Sequence, residues 1–520
     1  MIRAFRAGLT GAALLALTAS RSDGGPKATP GPGPAALREW VRAHEVGILR
    51  EFTELLALPN LAKDGPNMRR NADRLVALLA NRGVRARLLD GQGGPPAVYG
   101  ERRSEGARRT IVVYAHYDGQ PVNEADWANP PWTPTLRDGR IESGGHAIPL
   151  EGLTGPLNGE WLVYGRSAGD DKAPIVALLA ALDALGALGA APSVNLKVFL
   201  DGEEEAGSPH LRAVLEQNKE LLKADAWLVC DGPVHPSRRP LVFFGVRGIT
   251  DVEVTLYGPS RALHSGHYGN WAPNPAVELA HLVDGLRDTD GRIKIAGFYD
   301  DVRPLTSAEH EALREFPDVD AELREELALA RTEAGGARLV ERLMLPALNL
   351  RGLESGAVGE HAANAIPVSA RASIDFRLVP DQTPERVRER FEAHLVSLGY
   401  TVVHEAPTLE ERRGKPRLVH LQWQSGYPSM RTALDAPFAR AVVALVEAAS
   451  GGPVVRMPTL GGSVPMHLFP EVLDAAAIGL PIANHDDNQH AANENLRLQN
   501  LWDGTVVFAT VLKGLGEAWP

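Results

Sequence analysis

Apolar residues along the chain follow two alternating patterns. From Leu37 to about Asn81 they recur three and four positions apart, as in ALREWVRAHEVGILREFTELLAL, and this spacing predicts helix. TIVVYAHYDG is instead a continuous apolar run that closes on His116 and Asp118, as expected of a strand covered on both faces. A strongly apolar helix, APIVALLAALDALGAL, begins near Lys172. VNLKVFLDG then sets Val194, Leu196, Val198 and Leu200 at strand period, and DAWLVCDGP is a further buried strand ending in an acid. Strands alternating with helices predict an α/β fold, with a mainly parallel sheet and helices on both of its faces.

The pattern changes near Gly245. GITDVEVTLYGP, PVSARASIDFRLVP and RLVHLQWQ alternate apolar with polar residues, and the charged stretch from Ser307 to Glu341 between them reads as helix. An inserted α+β domain is therefore expected over residues 244–430. FARAVVALVEAA resumes helix and DAAAIGL supplies a last core strand, so residues 37–243 and 431–520 are expected to form one domain in two parts. A chain of 520 residues exceeds a single ordinary core, which agrees with two domains.

Composition adds exclusions. The hydrophobic share of 44% is that of a soluble globular protein, and the net charge of −11 speaks against a nucleic-acid surface. Cys230 is the only cysteine, so no disulfide forms within the chain. Arg3 and Arg6 precede an apolar stretch, Ala7 to Ala19, that is too short to span a bilayer. Residues 1–20 read as a secretory signal peptide and residues 21–36 as a Gly/Pro-rich linker, so the sequence predicts an exported protein, periplasmic or secreted. LTAS resembles a lipoprotein cleavage box, but Ser20 stands where the acylated cysteine would be, which argues against a lipid anchor.

Ligands of an open parallel sheet bind beyond the carboxyl ends of its strands. AHYDG, GRSAGDDKAP, DGEEEAGS and CDGP all fall there, and HDDNQHAANEN lies in the last segment. Together they gather His116, Asp118, Asp170, Asp171, Glu203, Glu204, Glu205, Asp231 and His490. Each has a plain structural reading when taken singly: a strand-end histidine, a helix N-cap, a turn aspartate, a solvated glutamate run. Their joint occurrence at successive strand ends points instead to chemistry. So many carboxylates in one cleft repel one another, and one or two divalent cations relieve the repulsion. Mixed imidazole and carboxylate donors suit zinc, with manganese or cobalt workable.

The segments YAHYDGQP, YGRSAGDDKAP, DGEEEAGSPH, CDG and HDDNQHAANEN resemble, in order, the signatures of the carnosinase, glutamate carboxypeptidase and desuccinylase superfamily of co-catalytic zinc metallopeptidases, above all its dipeptidase-like members. The resemblance implies that Asp170 bridges two metal ions, with His116 and Asp231 completing one and Glu205 and His490 the other. It also implies that Asp118 orients His116, that Glu204 is the general base for the attacking water, and that the Asp170–Asp171 peptide is cis. GPSRALHSGHYGN resembles a lid segment whose histidine, here His264, polarises the scissile carbonyl, often from the partner of a homodimer. NAIPVSARASIDFRLVPDQTPERV resembles the strand whose arginine, here Arg377, meets the substrate carboxylate, and PTLGGSVP nominates Gly461, Gly462 and Ser463 as its cradle. The expected activity is hydrolysis of dipeptides or removal of a C-terminal residue. N-acyl amino acid deacylation is the alternative with the same metal chemistry, and a catalytically silent metal-binding protein is a third reading. The sequence departs from the family at GRS before the aspartates, at Ala173, at GEHAANAIP in the lid, and in the added stretch ESGGHAIPLEGLTGPLNGE.

Overall fold

The computed structural model describes residues 31–519. Its larger sheet has eight strands in the order Arg85–Leu89, Ala97–Arg102, Asn195–Asp201, Thr110–His116, Ala226–Val229, Ala476–Gly479, Leu241–Phe243 and Val455–Met457. The three central joins are parallel, whereas antiparallel joins occur toward both ends, so the sheet is mixed with a parallel heart. Ile111, Val113 and Ala115 face one helical layer while Val112 and Tyr114 face the other, which is why this strand is an unbroken apolar run. The first layer holds Pro34–Leu56, Lys172–Ala187, Pro437–Ser450 and Leu498–Ala518. The second holds the shorter helices Leu211–Gln217 and Leu468–Leu473, with Phe469 stacked on Trp227 at a centroid distance of 4.2 Å.

A second sheet takes its five strands in the order Ala347–Glu354, Ser369–Leu378, Gly248–Tyr257, Leu418–Trp423 and Thr401–Val403. Helices Pro275–Leu286 and Pro384–Ser397 cover one face through Leu279, Leu282, Leu286, Val387, Phe391 and Leu395. On the opposite face Asp251 lies across from Asp375, and Ile249 across from Arg377. The alternation read in the sequence has this origin.

Three details differ from the expectation. The Leu37 to Asn81 helix is two, Pro34–Leu56 and Gly65–Ala80, because Asp64 caps a new helix through the Asn67 N–H and Pro66 sits in its first turn. The charged stretch is broken into Ser307–Glu315, Asp320–Glu326 and Leu339–Leu343. Phe316, driven to an extended conformation before Pro317, ends the first, and Gly335 and Gly336 at positive φ separate the last two. Part of the added stretch, Ala147–Ile148, pairs with Thr135–Arg137 in a four-stranded sheet completed by Leu162–Tyr164 and Asn495–Arg497. Strands of two and three residues are too short to show a period. The signal-peptide reading of residues 1–20 lies outside the described residues, as does most of the linker.

Candidate metal centre

Register sets the site. His116 pairs with Asp201 and Tyr114 with Val229, so three adjacent parallel strands end within two residues of one another and release their next residues at one edge of the sheet. Asp118, Glu204 with Glu205, and Asp231 follow directly from those ends. Asp170 and Asp171 precede the buried helix Lys172–Ala187, and their peptide bond is cis. His490 comes from the loop after Ala476–Gly479.

Two groups of three residues that could each hold a cation result, His116 with Asp170 and Asp231, and Asp170 with Glu205 and His490; within each, the donor atoms lie within 4.8 Å of one another. His116 Nε2 stands 2.7 Å from Asp170 Oδ1, and His490 Nε2 stands 3.1 Å from Asp170 Oδ2 and 3.3 Å from Glu205 Oε2. One carboxylate thus faces both groups with separate oxygens. Burial and the nearby Asp170 charge push the Asp231 carboxyl up to about 6 and that of Glu205 up to about 8. Burial also raises Glu204 well above the usual range, with Asp231, Asp170 and Glu205 adding to it. Cations joining these acids would relieve that repulsion. The residues fit two divalent cations, and the N/O donor set is one that such ions accept.

Asp118 is fully buried and serves three partners. Its Oδ1 lies 3.2 Å from His116 Nδ1, and its carboxylate accepts the backbone N–H groups of Glu204 at 3.0 Å and Glu205 at 3.1 Å. It fixes a ring and, at the same time, the turn that carries two glutamates. That turn, Glu204–Ala206, is a 3-10 helix. Glu204 and Glu205 therefore diverge by roughly 120°. Glu203 turns away and accepts the His210 N–H at 2.7 Å.

Sequence reasoning missed the support of Asp170. Glu494, fully buried, accepts the N–H groups of Ser167 at 3.0 Å and of Gly169 and Asp170 at 2.9 Å, and pairs with Arg166 at 2.7 Å. The signal was present as an acid four residues after His490. Asp171 is the N-cap residue of its helix but makes no side-chain cap, and accepts the His116 N–H at 3.1 Å instead. Burial pushes the Lys172 ammonium down to about 7, and its Nζ is spent on the carbonyls of Leu55 and Leu58 at 2.9 and 3.0 Å. It ties the first helix to the metal loop.

Arg377 and Ser463 meet, with Nη1 donating to Oγ at 2.8 Å. Asp375, 4% exposed, receives Arg377 Nε at 3.0 Å and Asn349 Nδ2 at 3.4 Å, so it holds the guanidinium from behind. The Gly462 carbonyl accepts the Arg247 N–H at 3.2 Å, and a side chain on Gly461 would press on Leu343. Tyr427 bridges to Ile249, which lies across from Arg377, and its ring stacks on His467 at 5.0 Å. Burial first, and the Glu204 charge next, raise its hydroxyl, while Arg377 opposes. His264 is not brought to this cluster within its own chain. It is exposed, its Nδ1 accepts the Gly266 N–H at 3.1 Å, and its ring lies 4.6 Å from that of His267.

Two candidate cation groups that share one carboxylate, beside the half-buried Glu204 at the carboxyl edge of a mixed sheet's parallel heart, point to a two-metal hydrolase. Comparison with known proteins places it further: residues 112–514 match the family described as Peptidase family M20/M25/M40, and the chain belongs to that family of metallopeptidases. The Beta-Ala-His dipeptidase of Homo sapiens is 25% identical over 96% of this chain and 97% of its own. The Cys-Gly metallodipeptidase of Candida albicans is 28% identical over 82% of each. Among solved structures, an M20 family metallo-carboxypeptidase from Sulfolobus solfataricus superposes with a TM-score of 0.74, at 28% identity over 90% of this chain and 99% of its own.

The expectation of export is corrected at this point. Kinship with yeast Cys-Gly metallodipeptidases stands against an exported, periplasmic or secreted enzyme, and the reading rested on residues outside those described. No export is assigned to the chain.

Proposed function

We propose that the protein is a zinc-dependent dipeptidase, with His116, Asp170 and Asp231 holding one ion, Asp170, Glu205 and His490 the other, and Glu204 acting as general base. The observation that carries the proposal is the sharing of Asp170 between two ligand groups, with Glu204 on the turn that also bears Glu205. Two divalent ions held by these residues would supply polarisation of the scissile carbonyl and a lowered pKa for the attacking water. Glu204 takes the proton of the attacking water and passes it to the departing amine. Asp118 keeps the His116 ring and the Glu204 turn in register throughout. Arg377 and Ser463 bind the C-terminal carboxylate, with Gly461 and Gly462 leaving room for its approach.

Residues 244–430 act as a lid and dimerisation domain in this proposal. His264 serves the carbonyl oxygen of the partner subunit's site, since its contacts in its own chain are local. The named relatives favour the dipeptidase over the deacylase, and retention of both Asp118 and Glu204 counts against a silent binding protein. Metal analysis joined to a panel of dipeptides and N-acetyl and N-succinyl amino acids tests the reading. Hydrolysis of dipeptides by protein carrying two ions supports it, and exclusive hydrolysis of acyl amino acids refutes it.

A further inference from the structure

A cavity of about 330 Å³ is lined in part by the stretch that follows Asp231 and by the residue before Gly461, and takes no part in the chemistry above. Its catalytic-domain wall includes Val234, three residues beyond Asp231, and Leu460, directly before Gly461. These two stretches touch, since a side chain on Gly232 would meet Leu460 Cδ2 at 3.7 Å. The opposite wall is the broken helical stretch of the insert, through Phe316, Val319, Leu323 and Leu343. The strand-end loops of Pro233 and Ala483 run side by side, which brings His485 to the same cavity. His485 Nδ1 is buried without a hydrogen-bond partner among the described residues. Of the acids on the lining, Asp320 is already engaged by the Leu339 N–H at 2.9 Å.

A pocket of this kind has the size and lining to bury one large apolar side chain. Its position selects the source. One wall begins three residues from a metal ligand and another adjoins the glycine loop next to Ser463, the two ends between which a short substrate would lie. Resting on the dipeptidase reading, we infer that this cavity is the specificity pocket for a bulky apolar side chain of the dipeptide, and that the insert's helical stretch sets which side chains are accepted. Phe316 and Leu323 come from the residues read only as a charged helix in the sequence. Phe316, Val319 and Leu323 turn to the cavity, which Asp320 and Glu326 also line, while Leu327 and Leu329 are exposed.

The test uses full-length holoenzyme and two series of dipeptides, X-Ala and Ala-X, with X being Ala, Leu or Phe. Val319→Trp fills the cavity and Leu323→Ala enlarges it, and neither residue belongs to the metal or carboxylate machinery. Val319→Trp is expected to lower kcat/KM for Leu and Phe in one of the two series by about tenfold or more, with Ala-Ala changed by less than about twofold. Leu323→Ala is expected to move the Phe to Leu ratio in that same series upward. A wild type that cleaves Ala-Ala, together with variants whose Leu and Phe ratios stay at the wild-type value in both series, overturns the pocket while leaving the dipeptidase standing. A wild type that cleaves no dipeptide overturns the dipeptidase reading, and the pocket falls with it.

Discussion

Glu494→Gln removes one charge and leaves the shape of the side chain almost unchanged. In the wild type one carboxylate oxygen accepts the N–H groups of Gly169 and Asp170, and the other accepts Arg166 and the Ser167 N–H. An amide offers one acceptor and one donor, so either placement turns an NH₂ group against two donors. Arg166, 1% exposed, also loses its only carboxylate partner among the described residues. Breaking a buried pair from one side costs about 3–5 kcal/mol, and that loss falls on the loop that presents Asp170. Removal of a group that orients metal ligands lowers metal affinity by about 10- to 100-fold. Competition with a chelator of known affinity reads the metal term, and denaturant unfolding of the metal-free protein reads the stability term. A variant that matches the wild type in both would refute the reasoning that Glu494 holds the Asp170 loop.

Other residues give separate checks. Glu204→Ala should keep its metal content near normal while hydrolysis falls by about 10²- to 10⁴-fold, measured by metal analysis beside initial rates. Asp375→Asn should raise KM for dipeptides by about tenfold, at the scale of one lost charge-assisted contact, with little effect on dipeptide amides, which lack the carboxylate that Arg377 would bind; equal losses on both substrates would count against its role behind Arg377. Burial would raise the Asp486 carboxyl, but hydrogen bonds from Arg497 and Asn484 and the Arg497 charge outweigh it and hold the group well below the usual range. Its stabilisation is therefore present above the unfolded value of about 4 and is lost as pH falls through the folded one. Unfolding of metal-free Asp486→Asn and wild type should differ most at neutral pH and converge in acid; a gap that persists unchanged in acid would contradict the sign.

The central sheet was legible because burial on both faces writes itself into the sequence as apolar runs, and because the strand-end acids break those runs at the chemically active edge. The candidate acids came from the same breaks, and the choice of ligands among them from the family resemblance. Glu494 and Asp375 were not legible as supports, since each acts through contacts far away in sequence, Glu494 with Arg166 and Asp375 with Asn349. The small sheet around Ala147–Ile148 was hidden by the brevity of its strands, and the break at Phe316 by a charged pattern that masked Pro317. Of the substrate-side residues, Arg377 and Ser463 come together within the chain, whereas His264 stands apart, and no periodicity reports which subunit a lid histidine serves.

The account turns on two cations sharing Asp170. Metal content per chain, measured on protein stripped with chelator and reloaded with zinc while dipeptide hydrolysis is followed, tests this most directly. The account predicts two ions per chain, no hydrolysis after stripping and recovery on reloading. Saturation at a single ion, or hydrolysis that survives complete removal of metal, would contradict it.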